Sequence, residues 1–309
     1  MGPLAVESLA VVIGRALLIV NPASRRGARD RRRVEAALAA CGVEADTRLT
    51  RAPGDAAAMT REMGAGFDAV FTLGGDGTIM EALGALAGSG TPLGALAAGT
   101  GNLLVRAMGI PLNPARAVAA LCAGHVRAID LAALGSGGHF AVAAGVGIDV
   151  AMLERTRPWL KRRLGVAAYV LAGAGAAIGA ASHGRTFRVR ITADGVDHDV
   201  QALSLLVANV GSVLSGWITL VPDGRPDDGM LDVVVYAPRN LPQALRVASR
   251  MLRGRFPDDG LIGFYRGRHI QVCPEVPRQA QADGELLLPG VLDATALLGA
   301  ARLLVPGAE

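Results

Sequence analysis

The stretch Leu73-Gly74-Gly75-Asp76-Gly77-Thr78 follows an apolar run, Ala69-Val70-Phe71-Thr72-Leu73, and precedes Ile79-Met80-Glu81-Ala82-Leu83. The run reads as a buried strand and the segment after it as the start of a helix. Strand, glycine turn and helix together bring bare backbone N–H groups up to a phosphate. The glycines permit conformations and a close approach that a Cβ would block. Asp76 is the odd member. A carboxylate beside phosphates repels them unless a cation lies between, so Asp76 points to Mg²⁺. An ordinary strand-to-helix turn is the plain alternative, and the rest of the chain decides between the two.

Upstream and downstream of this turn, strand and helix alternate. Ala16–Val20, Val43–Leu49, Ala69–Leu73 and Pro92–Ala97 read as strands, Asp30–Cys41 and Asp55–Met63 as helices. Such alternation predicts a parallel, Rossmann-like α/β sheet, with ligands outside the strand carboxyl ends. The pattern changes after Gly124. Val126–Leu131, Phe140–Gly147, Phe187–Ala193, Asp199–Ala208, Leu231–Tyr236 and His269–Val272 read as strands at shorter spacing, with helices at Leu160–Ala181 and Leu241–Arg253. Ala193-Asp194-Gly195-Val196 is a hairpin signal. This half reads as mostly antiparallel β, a sandwich or a curled sheet.

Composition narrows the classes. The chain has 309 residues and a formal charge of +4, and of its 31 lysines and arginines only Lys161 is lysine. A phosphate-loop lysine is therefore excluded unless Lys161 serves, whereas arginine can clamp phosphate in forks. The positive charge suits anionic ligands or an anionic membrane surface, but no aromatic-basic interleaving points to nucleic acid. Cys41, Cys122 and Cys273 make neither a disulfide framework nor a zinc spacing and read as buried free thiols in a reducing compartment. No basic segment precedes the N-terminal apolar stretch, so no signal peptide is expected. Leu164 to Ser182 carries no charge, yet its alanines and glycines favour a buried helix over a membrane span. Lys161-Arg162-Arg163 beside Trp159 has the composition of a contact with anionic lipid, although so few charges bind membranes weakly and a solvated helix start is the favoured reading.

Further polar turns end the other strands. Asn21-Pro22-Ala23-Ser24 closes the first and Thr50 follows the second, each unspecific alone. Gly99-Thr100-Gly101-Asn102 follows the fourth and repeats the glycine-rich, hydroxyl-bearing turn on the same sheet edge. Late in the chain, Pro226-Asp227-Asp228-Gly229-Met230-Leu231-Asp232 puts carboxylates and a glycine in one turn before a strand. Asp283-Gly284-Glu285 straddles a glycine in a strand-like run, as a hairpin turn would.

This ordered set resembles the diacylglycerol kinase catalytic fold, which includes bacterial lipid kinases and sphingosine kinases, over nearly the whole chain. The resemblance implies a nucleotide-binding α/β domain at residues 1–128, with about 297–309 returning to it, and a β-rich lipid-substrate domain at 129–296. It implies transfer of the γ-phosphate of ATP, with Mg²⁺, to the hydroxyl of a lipid such as diacylglycerol or a sphingoid alcohol. Asn21, Pro22, Ala23, Ser24, Thr50, Gly74, Gly75, Asp76, Gly77, Thr78, Glu81, Gly99, Thr100, Gly101 and Asn102 would line the nucleotide site. Asp228 and the carbonyls of Arg225 and Met230 would ligate a structural Mg²⁺. Asp76 would organise the catalytic metal, and Asp283 or Glu285 would take the proton of the attacking hydroxyl. The implied setting is cytoplasmic, with a lipid substrate at the inner membrane face, peripheral membrane contact, a homodimer and no nucleic acid. Leu103 stands where many members carry Asp, and Gly27 is displaced behind Arg25 and Arg26, which would replace backbone contacts to phosphate. The alternatives are an NAD kinase-like enzyme, disfavoured by Asn102-Leu103-Leu104 where a Gly-Phe-Leu-type segment is usual, and a nucleotide- or lipid-binding regulator without turnover.

Overall fold

The computed structural model describes residues 12–147, 186–213, 218–257 and 259–307. The expected helix at 160–181 and the cluster at 159–163 lie outside them. The chain divides into two compact units, Met1–Ile129 with Gly299–Glu309, and Asp130–Leu298.

The first unit is built on β1 (Arg15–Val20), β2 (Glu44–Leu49), β3 (Ala69–Gly74) and β4 (Leu93–Ala97). They pair in parallel in the order β2-β1-β3-β4, and the end of the last strand, β18 (Leu292–Val305), adds to β4. Strands covered on both faces read as continuous apolar runs, and β3 and β4 are buried throughout. Gly94 makes room for the Phe71 ring, to which a Cβ would come within 2.4 Å. Helices α1 (Gly27–Ala40), α2 (Asp55–Met63), α3 (Asp76–Ala85), α4 (Leu103–Ala107) and α5 (Pro114–Cys122) make the crossovers. Val34 and Leu38 of α1 and Val118 and Leu121 of α5 are buried, and the two helices pack together. The chain leaves β1 for β2 on one side and returns to β3 on the other. Such a topological switch opens a crevice at the carboxyl ends of β1 and β3.

The second unit is a sandwich. One sheet runs β14 (Ile262–Gly267), β13 (Leu231–Tyr236), β10 (Ser204–Ala208), β7 (Ala143–Val146), β16 (Ala280–Ala282) and β17 (Glu285–Leu287), antiparallel throughout. The other joins β9 (Val196–Ala202), β8 (Phe187–Ala193), β15 (His269–Pro274) and the start of β18, with β5 (His125–Leu134) and β6 (His139–Phe140) beside it. Alternate residues of both sheets meet in one core, Leu205, Val207 and Val233 from the first with Val189, Ile191 and Ile270 from the second. The expected hairpin joins β8 to β9, with Asp194 and Gly195 at φ +47° and +85°. The run expected as one strand over 199–208 is two. It breaks at Leu203, and β9 and β10 go to different sheets. The strand expected over 140–147 is also interrupted, at Ala141 and Val142.

One short antiparallel pair, β11 (Ser212–Val213) with β12 (Ile218–Thr219), and helix α6 (Leu241–Arg253) complete the unit. No helix among the described residues is long and apolar enough to cross a membrane. The thiols differ from expectation: Cys41 and Cys273 are exposed and Cys122 is half-buried. Burial, and then the neighbouring Cys41, push the Cys122 thiol up to about 12.

Candidate functional site

The glycine turns of the first unit meet at the switch point. Asn21 ends β1 and ties the turn after it to the turn after β3. Its N–H donates to the Leu73 carbonyl at 2.9 Å and its Nδ2 to Thr78 Oγ1 at 3.0 Å. Its own Oδ1 accepts the Ala23 N–H at 2.9 Å, which shapes the Pro22–Ala23 corner. Ser24 Oγ donates to the Asn21 carbonyl and accepts the Gly27 N–H, so it caps the start of α1. A Cβ on Gly27 would fall 2.0 Å from the Asn21 carbonyl oxygen, which explains the displaced glycine.

The two glycine-rich turns are as closely fitted. A Cβ on Gly99 would lie 2.6 Å from the Gly75 Cα, and one on Gly101 2.5 Å from Asp76 Oδ2. Asp76 opens α3, and its carboxylate joins the turns. Oδ2 accepts the Asn102 N–H at 2.7 Å and Oδ1 the Leu103 N–H at 2.5 Å. Asn102 sits in the left-handed region at φ +52° and locks its turn through two side-chain bonds to the Gly99 backbone. Leu103 takes part in this junction through its backbone N–H. Burial pushes the Asp76 carboxyl above its usual value, against the Leu103 and Asn102 amides that pull it down. Such a carboxylate, with lone pairs left on both oxygens, is one that a divalent cation would keep ionised, so a metal accompanying a nucleotide fits here.

Three of the expected residues already have partners within the fold. Arg26 does not wait for phosphate: its guanidinium donates to the Ala97 and Leu112 carbonyls at 3.2 and 3.1 Å. Glu81 caps α2, accepting the Gly54 and Ala56 N–H groups at 2.8 and 3.2 Å, so its carboxylate is spent on that helix N-terminus. Thr50 is buried and its N–H pairs with the Val20 carbonyl.

In the second unit the acids separate. Asp283 is 5% exposed at φ +46°. Its carboxylate accepts the N–H groups of Ala141, Val142 and Ala143 at 2.7 to 3.3 Å. This nest holds the break between β6 and β7. Glu285, two residues on, is exposed on β17.

The Pro226–Asp232 turn is braced by ion pairs and backbone hydrogen bonds. Asp228 Oδ1 accepts the Met230 N–H at 3.0 Å, and its Oδ2 pairs with the Arg266 guanidinium. Arg266 also reaches Asp232 at 3.6 Å from the facing position of β14, while the Arg225 side chain pairs with Asp227. A guanidinium thus stands beside Asp228 and Asp232 at this turn. Among the described residues no group of three or more His, Cys, Asp or Glu could hold a metal ion.

Asp130, fully buried, anchors the same turn from β5. Its Oδ2 accepts the Gly229 N–H at 2.6 Å and its N–H donates to the Pro226 carbonyl at 2.6 Å. Asn209 Nδ2 donates to the Asp130 and Ala141 carbonyls, both at 2.9 Å. Sequence reasoning passed over Asp130, although a lone acid inside the apolar run Ile129-Asp130-Leu131 was its signal.

Comparison with known proteins agrees across both units. Residues 15–134 match the diacylglycerol kinase catalytic domain, and residues 141–305 match the YegS C-terminal NAD kinase beta sandwich-like domain. The chain is 32% identical over 284 residues to the diacylglycerol kinase of Bacillus subtilis (strain 168), covering 89% of this chain and 92% of that protein. It is 33% identical over 298 residues to a Pseudomonas fluorescens protein described as "Probable lipid kinase YegS-like", covering 94% and 95%. The fold is similar to the crystal structure of a diacylglycerol kinase from Bacillus anthracis str. Sterne, with a TM-score of 0.72 at 24% identity over 95% of this chain and 97% of that one.

Proposed function

Since the chain belongs to the diacylglycerol kinase family of lipid kinases, we propose that it transfers the terminal phosphoryl group of ATP to the hydroxyl of a lipid, such as diacylglycerol or a sphingoid alcohol. The observation that carries this reading is Asp76, which binds the two glycine turns to each other at the switch point of a parallel sheet. The turns Gly74–Thr78, Gly99–Asn102 and Asn21–Ser24 would surround the phosphates, and small residues there allow the close approach. Thr50, which follows β2, and Glu81, on α3, would border that edge. When bound, Mg²⁺ would be held through Asp76 and would offset charge on the phosphate oxygens.

Glu285 is the better base of the late pair. An attacking hydroxyl must shed its proton as the new P–O bond forms. The Asp283 carboxylate already accepts three amides, whereas Glu285 is exposed to an incoming acceptor. A lipid acceptor would bring the working protein to a membrane surface.

Labelled ATP offered with a mixed lipid extract, with NAD, or with neither tests the reading. Label should enter a chloroform-soluble product in the parent protein and be lost by ~10²-fold or more in Asp76→Ala. Label entering NAD, or Asp76→Ala turning over like the parent in excess Mg²⁺, would contradict it.

A further inference from the structure

Helix α6 and the turn after it present an exposed surface of leucines and arginines, and we propose that the protein lies on anionic lipid bilayers through this surface. The choice of partner rests on the lipid-kinase reading; the surface itself does not. Residues 239–257 contain Arg239, Arg246, Arg250, Arg253 and Arg255 and no Asp or Glu. Asp258 and Asp259 follow only after the run, and Asp259 pairs with Arg250. The helix is well founded as an element. Asn240 caps it by accepting the Gln243 N–H at 3.0 Å, and Gly254 closes it in the left-handed region at φ +60°.

Its faces are unevenly used. Ala244 and Val247 are buried against the unit. Leu245 and Leu252, seven residues apart and so on one side of the helix, are 54% and 64% exposed. Arg246 and Arg253, also seven apart, are exposed on the adjoining side. The apolar side of the helix is therefore wider than the part the protein buries, and arginines line its border. Phe256, just past the helix, meets Phe264 edge-on at 5.5 Å, and Phe264 is itself exposed on the edge strand β14.

A helix of this kind lies in the plane of a bilayer surface, its leucines at the acyl boundary and its arginines among the phosphates. Charge selects the occupant. A second copy of the same arginine-lined surface would repel, and a nucleic acid would leave the leucines and Phe264 in water. An anionic bilayer satisfies both components.

The full chain should pellet with vesicles of phosphatidylcholine mixed with phosphatidylglycerol, weakly with phosphatidylcholine alone, and less as salt rises. Arg246→Gln with Arg253→Gln should weaken that binding by roughly tenfold or more, and Leu245→Gln with Leu252→Gln by about as much. Arg31→Gln with Arg32→Gln, changing another basic stretch on α1, should not. All four side chains changed on α6 are solvent-facing or partly so, and unaltered thermal unfolding will show that the variants fold. Phosphorylation of short-chain diacylglycerol dispersed in water should be the same in parent and α6 variants, while phosphorylation of lipid embedded in anionic vesicles should fall with binding. If no lipid is phosphorylated by any form, the function reading fails, yet pelleting still decides the surface. The proposal is overturned if the parent does not bind anionic vesicles, if the α6 variants bind as the parent does, or if the α1 variant loses as much. It is also overturned if the leucine variant converts a dimer to a monomer in sedimentation, since a second copy would then be the occupant.

Discussion

Asp283 spends both carboxylate oxygens on the amides of Ala141, Val142 and Ala143, and it does so from a left-handed backbone position. Removing the carboxylate leaves those buried N–H groups without an acceptor, each costing ~1–3 kcal/mol. Asp283→Ala should therefore lower stability to denaturant by about 3 kcal/mol, with Glu285→Ala within ~0.5 kcal/mol of the parent. Equal losses for the two would contradict the separation of roles. The sequence placed both acids correctly in one turn. It held nothing to say which faced inward, because the amides that decide it lie some 140 residues upstream. Asp76 was more legible, since glycines on either side announced a close approach. Its bonds to Asn102 and Leu103 were not, because an amide donor leaves no mark on residue type.

Turns and strands carry the next level. The glycine motif, the hairpin at Asp194-Gly195 and helix α6 could be read from local pattern, because turn chemistry and periodicity are local. The division of residues 196–208 between two sheets could not, because it depends on what each half packs against. At the Pro226–Asp232 turn, where Asp228 and the carbonyls of Arg225 and Met230 were expected to ligate Mg²⁺, the Arg266 guanidinium stands beside the same carboxylate. With Arg266 joining Asp228 and Asp232 across β13 and β14, melting of the parent should not respond to Mg²⁺ or to chelator in the absence of nucleotide. Arg266→Leu should lower stability by ~1 kcal/mol, a modest loss because the arginine is half exposed. A Mg²⁺-dependent rise in the parent's melting temperature would restore a metal to this turn. Acid acts on the hairpin. The His269 and Arg268 amides hold the Asp194 carboxyl below its usual 3.8. Its contribution to stability is present above that value and fades as pH falls through the lowered one, so Asp194→Asn should flatten the acid limb of unfolding below about pH 4. An unchanged limb would mean that the Arg268 and His269 amide bonds to Asp194 are not kept in solution.

At the scale of the molecule, the order β2-β1-β3-β4 and an antiparallel sandwich follow from two periodicities in one chain, α/β alternation before Gly124 and closely spaced strands after it. The membership in a lipid-kinase family rests on both units, since separate domain matches cover each. The most direct measurement is turnover of Glu285→Gln on diacylglycerol in mixed micelles, with ATP affinity measured by calorimetry on the same preparation. The amide keeps the size of the side chain and removes its basicity. The account predicts unchanged ATP affinity and melting, with kcat lower by ~10²-fold or more. A variant that binds ATP and turns over as fast as the parent would contradict it.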